Sequence, residues 1–287
     1  MKLNRPLAEV FVPEGIAVSE ALTRTTHMGI GAHQDDLEIM AFHGIMACFE
    51  TNQRWFTGIV CSDGAGGPRG PAYRHWRAAE IKRLRRSEQR NAAAVGRYSA
   101  VVQLDYPSAA VKDPRNEAFH QDLQRLLAMS CPQVVYTHNL ADRHATHVAV
   151  VVQVIGAVRQ LSPDQRPQRL YGCEVWGALD WLPGDGKVML DVSGHDPLAA
   201  ALIGLYHTQV NAQKRYDLAT LGRRRANATY LESHALGAAE QVILAMDLAP
   251  LIADPGLDPV EYVKGLMHRA QTETIERLAG YARTNPF

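Results

Sequence analysis

Gly29-Ile30-Gly31-Ala32-His33-Gln34-Asp35-Asp36-Leu37-Glu38 places one imidazole and two adjacent carboxylates at the end of a short apolar run. An amphipathic helix pattern follows at once, with Leu37, Met40, Ala41, Gly44, Ile45 and Cys48 at the spacing of one buried face. Strand, polar cluster, then helix is how open α/β sheets present chemistry at the carboxyl ends of their strands. Asp35 or Asp36 also suits an N-cap, because a carboxylate there accepts orphan backbone N–H groups. His and Asp are ligand types for a borderline-soft divalent metal such as zinc. Two ligands do not make a site, so the rest of the chain must supply a third.

Working outward, the first strand is expected over 26–32, with others over 55–61, 101–106 and 134–138. Between them run helix patterns at 72–95 and 116–129, and a helix over 144–160 follows the fourth strand. Residues 170–176 and 188–192 read as later strands around a Pro183-Gly184-Asp185-Gly186 turn, and beyond Asp196 the chain reads as mainly helical. Alternating strands and helices imply right-handed βαβ crossovers and a largely parallel sheet covered on both faces. The expected class is α/β, a Rossmann-like three-layer α/β/α sandwich with a smaller C-terminal strand and helix addition. The expected division is an irregular lead-in over 1–25, a catalytic domain over 26–250 and a helical extension over 251–287.

A second polar cluster, His138-Asn139-Leu140-Ala141-Asp142-Arg143-His144-Ala145-Thr146-His147, also follows a strand. It should reach the same sheet edge as His33 and Asp36. His144 and His147 stand three apart at a helix start and so share a face. One of them can ligate a metal while the other points into the adjacent substrate space.

Together, Ala32 to Glu38 and Asp142 to His147 resemble the two motifs of the LmbE/PIG-L family of zinc-dependent de-N-acetylases. Further likenesses are Ser62-Asp63-Gly64, the helix carrying Arg85 and Glu88 before Val95-Gly96, Asp105-Tyr106-Pro107, and Tyr206-His207-Thr208-Gln209. The likeness runs from about 26 to 245 in this chain. It implies His33, Asp36 and His147 as metal ligands, Asp35 as general base, and His144 as the group that stabilises the oxyanion or protonates the leaving amine. Asp142 would orient an imidazole from behind, and Arg85 would contact substrate. Asp105 would either bind sugar hydroxyls or cap the turn at Pro107. Three such ligands leave an open position for water, whose pKa zinc lowers to about 7. A carboxylate beside that water can take its proton during attack on an amide carbonyl. Zn²⁺ is the implied cofactor, with Fe²⁺ or another divalent ion equally suited to a His₂Asp set.

The chain departs from the family pattern at three places. Gln34 stands where the first motif usually has proline, Leu37-Glu38 delays its glutamate by one position, and Ala145-Thr146 replaces Pro-Asp in the second. No ligand is lost, and the substrate is left open. The implied substrate class is an N-acetylated small molecule, in the first place a sugar or glycoconjugate. A hydrolase of another amide or ester uses the same ligands, and a metal-retaining binding protein without turnover is the reading from a different class.

Composition narrows the field. Among 287 residues, Lys+Arg and Asp+Glu both number 30, so the basic excess of a nucleic-acid binder is missing. No apolar stretch has the length of a membrane span or signal core, and the four cysteines form no CxxC pair. A cytoplasmic protein with no nucleic-acid or membrane partner is therefore expected, with a homo-oligomer possible through the C-terminal helices. The glycines after Asp63 match neither nucleotide-binding fingerprint, so a substrate-side loop is expected there. The arginines at 83–90 and Arg223-Arg224-Arg225 read as solvated surface charge, apart from Arg85.

Overall fold

The computed structural model describes residues 2–67, 69–210, 215–231 and 239–282. Strands are β1 Glu9–Phe11, β2 His27–Gly31, β3 Phe56–Ser62, β4 Ala100–Tyr106, β5 Val134–His138, β6 Arg169–Cys173, β7 Lys187–Asp191 and β8 Val242–Asp247. Helices in the first half are α1 Val18–Thr23, α2 Asp36–Met40, α3 Phe42–Phe49, α4 Ala78–Val95, α5 Ser108–Val111 and α6 Glu117–Ser130. In the second half they are α7 Ala145–Arg159, α8 Asp196–Gly204, α9 His207–Val210, α10 Tyr216–Leu231, α11 Ala249–Ala253 and α12 Pro259–Ala282.

Every residue of β2, β3 and β4 is buried, as parallel strands covered on both faces require. The sheet order is β1-β4-β3-β2-β5-β6-β8-β7, and β4, β3, β2, β5 and β6 run parallel. One core cluster packs Phe119, Leu123, Val150 and Val154 of α6 and α7 against one face. A second packs Leu37, Ile45, Ala92 and Leu202 of α2, α3, α4 and α8 against the other. This is the expected three-layer α/β/α sandwich. From β2 the chain crosses to β3 on one side, while β5 joins β2 on the other. The order therefore reverses between β2 and β5, the crevice where such sheets bind ligands.

Two expectations need correction. The first 25 residues are not irregular: β1 pairs antiparallel with the edge of β4, and α1 buries Ala21 and Leu22. Both elements are too short to show a period. The expected long helix after Asp36 is broken at Ala41, which joins α2 to α3 with φ −107° and ψ 16°. Beyond Asp196 the chain is mainly helical, as expected, with β8 inserted antiparallel between β6 and β7. The last residues of the expected extension, 283–287, lie outside the described residues.

Two glycines set how closely α2 lies on the sheet. A Cβ on Gly58 would stand 2.6 Å from Leu37 Cδ1, and one on Gly29 would stand 3.0 Å from Leu37 Cδ2. Leu37 thus occupies the space that two side chains of β3 and β2 would otherwise fill, and it fixes the start of α2 beside the end of β2.

Candidate metal centre

The turn after β2 is built from a strained backbone and short hydrogen bonds. Asp35 takes the left-handed conformation, with φ 88° and ψ −26°, which costs an L-residue about 1–2 kcal/mol. That turn lets Asp36 fold back, so its Oδ2 accepts the His33 N–H at 2.6 Å. The neighbouring strands tie down Ala32: its N–H donates to His138 Nε2 at 2.9 Å and its carbonyl accepts from Ser62 N–H at 2.8 Å.

Three donor atoms converge here. His33 Nδ1 lies 3.2 Å from Asp36 Oδ2, His147 Nε2 lies 3.2 Å from His33 Nδ1, and His147 Nε2 lies 3.5 Å from Asp36 Oδ2. A tetrahedral ion with bonds of about 2.0–2.1 Å wants its ligand atoms about 3.3 Å apart. The residues present therefore fit a divalent metal. A His144 nitrogen lies within 4.8 Å of those of His33 and His147, so that ring borders the same point.

Asp142 acts on this cluster from behind. Its Oδ1 accepts the His144 N–H at 2.8 Å and lies 3.3 Å from His147 Nδ1, while Oδ2 accepts the Trp176 N–H at 3.1 Å. A carboxylate against Nδ1 keeps the proton there and leaves the Nε2 lone pair facing Asp36 and His33. His138 was the residue least clearly placed by sequence. It is fully buried, stacks on His147 with centroids 3.7 Å apart, and spends its Nε2 lone pair on the Ala32 N–H. With that lone pair used, His138 supports the cluster more readily than it ligates, although its Nε2 stands 3.3 Å from Asp36 Oδ2.

The two adjacent carboxylates are pushed in opposite directions. Burial, then the charge of Asp36, raises Asp35 well above the usual carboxylate range, with Arg85 opposing. Burial alone would raise Asp36 too, but His147, His138 and His33 outweigh it and hold Asp36 well below that range. Of the two, the carboxylate held ionised by three imidazoles suits an ion, and the one pushed up by burial suits proton transfer. Burial, then His147 and His33, lowers His144, so its ring is neutral near pH 7.

A cavity of about 340 Å³ opens over His33, Asp35, Asp36 and His144. Arg85 lines it and is only 4% exposed. Its Nη1 donates to the carbonyls of Gly64 at 2.8 Å and Gly66 at 2.6 Å, and its Nη2 to Gln209 Oε1 at 3.3 Å. The glycine loop is thus clamped to the cavity wall. Asp105 is not brought to the cavity: its carboxylate accepts from Arg86 Nη2 at 2.8 Å and is 2% exposed. It is withdrawn as a substrate contact, because its charge is already spent on the β4 edge. Arg224 is also corrected, since it is 2% exposed and donates to the carbonyls of Glu38 and Ile39.

Sequence reasoning missed Gln209 and Glu88. Gln209 Nε2 donates to the Gln34 carbonyl at 3.1 Å, and buried Glu88 accepts from the Thr208 N–H at 2.9 Å and hydroxyl at 2.6 Å. Together they dock α9 onto the metal turn. The Tyr206-His207-Thr208-Gln209 likeness is the signal that could have found them, although its His207 pairs with Tyr73 at the surface.

The GlcNAc-PI de-N-acetylase (PIG-L) family model matches residues 28–158. No curated protein sequence matches the chain. Among solved structures, the fold is similar to N,N′-diacetylchitobiose deacetylase from Pyrococcus horikoshii, with TM-score 0.59, 15% identity and coverage of 77% of this chain and 83% of that one. It is similar to GalB, the 4-carboxy-2-hydroxymuconate hydratase of Pseudomonas putida KT2440, with TM-score 0.58, 16% identity and coverage of 78% and 96%. It is also similar to the A40926 pseudoaglycone deacetylase Dbv21, with TM-score 0.57, 16% identity and coverage of 78% and 97%. The matched segment contains His33, Asp35, Asp36, Asp142, His144 and His147, so both polar clusters of the site fall within the part of the chain that is similar to the PIG-L de-N-acetylases.

Proposed function

We propose that this protein is a metal-dependent N-deacetylase acting on an N-acetylated sugar or glycoconjugate. The observation that carries this reading is the convergence of His33, Asp36 and His147 atoms at 3.2–3.5 Å beside the raised carboxyl of Asp35. The PIG-L match and the deacetylases among the structural neighbours support the same class. The hydratase GalB has a similar fold, so the choice of reaction rests on the residues.

His33, Asp36 and His147 would hold the ion, with zinc first and Fe²⁺ the alternative. When bound, the ion supplies Lewis acidity to water and to the amide carbonyl. Asp35 accepts the proton of the attacking water, and its raised pKa suits it to pass that proton on to the departing nitrogen. The neutral His144 ring donates an N–H to the oxygen on which charge develops. Asp142 holds the His147 tautomer, and Arg85 keeps the glycine loop against the cavity. Water and an N-acetyl amine thus give acetate and a free amine.

The deciding experiment loads the purified protein with Zn²⁺ or Fe²⁺ and measures amine release from N-acetylglucosamine and its glycosides. Release that Asp35→Asn abolishes while the metal content holds supports the reading. Full activity of Asp35→Asn on a confirmed substrate would remove Asp35 as the base. Metal retention with no amine release across a broad amide and ester panel would favour a binding protein.

A further inference from the structure

Behind the wall formed by Trp176 and Tyr216 lies a second cavity of about 170 Å³. The two rings meet edge to face at 5.9 Å, and both residues line this cavity as well as the one over the metal centre. Ile39, Val175, Ala219 and Ile243 make much of the second cavity apolar.

Arg224 lines it too and is 2% exposed. Its Nη2 donates to the α2 carbonyls of Glu38 at 2.8 Å and Ile39 at 3.1 Å, and its guanidinium lies 4.6 Å from the Phe42 ring centroid. Nε and Nη1 are buried with no hydrogen-bond partner. Unpaired donors on a buried charge are costly, and such a group is normally matched by an acceptor. Burial pulls the Arg224 pKa down to about 9, with Glu174 opposing. Glu174 does not complete the match. Its Oε1 accepts from Asn227 Nδ2 and the Leu244 N–H, its Oε2 accepts from the Leu179 N–H, and no ion pair joins it to Arg224 among the described residues. Arg223, the other guanidinium on the wall, donates to the Val175 carbonyl. Two guanidinium groups against one carboxylate leave the cavity with a surplus positive charge.

We propose that this cavity is a second subsite, taking a carboxylate carried on an apolar arm of the substrate, with the Arg223 and Arg224 guanidinium groups of its wall as the cationic partners. The binding part stands on the cavity alone, while its assignment to the substrate rests on the hydrolase reading above. The same feature then explains why Trp176 and Tyr216 face both spaces: they form the passage between the reacting amide and the distal acid.

The test titrates the metal-loaded full chain with hexanoate and with neutral hexanamide by calorimetry, alongside Ala219→Phe and Arg224→Gln. The expected result is hexanoate binding that exceeds hexanamide by at least about tenfold and falls by a similar factor in both variants. Arg224→Gln also loses contacts to α2, so Ala219→Phe, on the exposed side of α10, decides if the first fails to fold. Hexanoate affinity unchanged in Ala219→Phe would overturn the subsite and move the acid to the metal cluster. For the substrate clause, kcat/KM is compared for N-acetylmuramic acid and N-acetylglucosamine, which differ by a lactyl acid arm. A preference of about tenfold or more for the acid, lost in Ala219→Phe, supports it; equal rates in the wild type overturn it. If neither sugar releases amine, the sugar-deacetylase reading is what fails, and the hexanoate titration still decides the cavity.

Discussion

The two strand ends that build the metal cluster do so by different means. At the end of β2, geometry is imposed by backbone: a left-handed Asp35 and a 2.6 Å bond from the His33 N–H to Asp36 Oδ2 bring both donors together within one turn. At the end of β5, the donor sits inside regular α7, and a side chain imposes its orientation, because Asp142 reaches both the His144 N–H and His147 Nδ1. The first solution stores strain and couples ligand to turn. The second stores none and can be tuned from outside the cluster. The two ends should therefore fail differently.

The largest effects test that asymmetry directly. Both Asp36→Ala and His147→Ala are expected to lose the metal and at least about 10³-fold in turnover, since each removes a ligand. Both lose buried packing, but Asp36→Ala should lower the denaturation midpoint of the metal-free protein further, because it also strips the acceptor from the His33 N–H. Equal midpoints for the two variants would break the comparison. Asp35→Asn should keep its metal by elemental analysis and lose about 10²–10⁴-fold in kcat, the usual worth of a general base. Asp35→Gly should lose as much activity while gaining about 1 kcal/mol of stability, since glycine accepts a positive φ without strain. Asp142→Asn sharpens the other side: metal affinity should fall by about 10–100-fold, read by chelator competition, with the fold intact.

An effect separate from the metal lies at the opposite end of β2. Burial lowers the His27 pKa to about 4, from an ordinary value near 6.5. The unfolded chain therefore takes up the proton first as pH falls. The stabilisation from a neutral His27 is complete above about pH 6.5 and is lost progressively down to pH 4, amounting to at most about 3 kcal/mol. His27→Gln should flatten that part of the stability–pH curve, with midpoints measured between pH 4 and 7, and leave metal affinity unchanged.

The sequence made the parallel core readable because β2, β3 and β4 are short, largely apolar runs bounded by polar clusters or turns. Both halves of the metal cluster were legible for the same reason, each lying directly after such a run. β8 was not, because Val242–Asp247 is a short apolar run without alternation, and periodicity does not separate a buried strand from a helix segment. Arg224 was misread because its neighbours Arg223 and Arg225 suggested a solvated stripe, and only the path of α10 across α2 reveals its burial. Asp105 was left open between two roles, and its partner Arg86 sits on a helix whose rotation the sequence does not specify. Local pattern thus located the chemistry, while long-range packing decided which charges face it.

The gap left by Gly29 and Gly58 has a consequence for how the metal cluster can vary. Leu37 fills that gap and is the residue immediately after Asp36, so the depth at which α2 seats is governed by volume on the far side of the strand from any substrate. A methyl group at position 58 would lift the helix and with it the Asp35–Asp36 pair, altering the spacing of the proposed base and ligand without touching either. Joint substitutions at 29, 37 and 58 that conserve total volume form a mechanical adjustment to the reaction centre. Screening such triplets would vary reactivity in steps smaller than any ligand replacement allows.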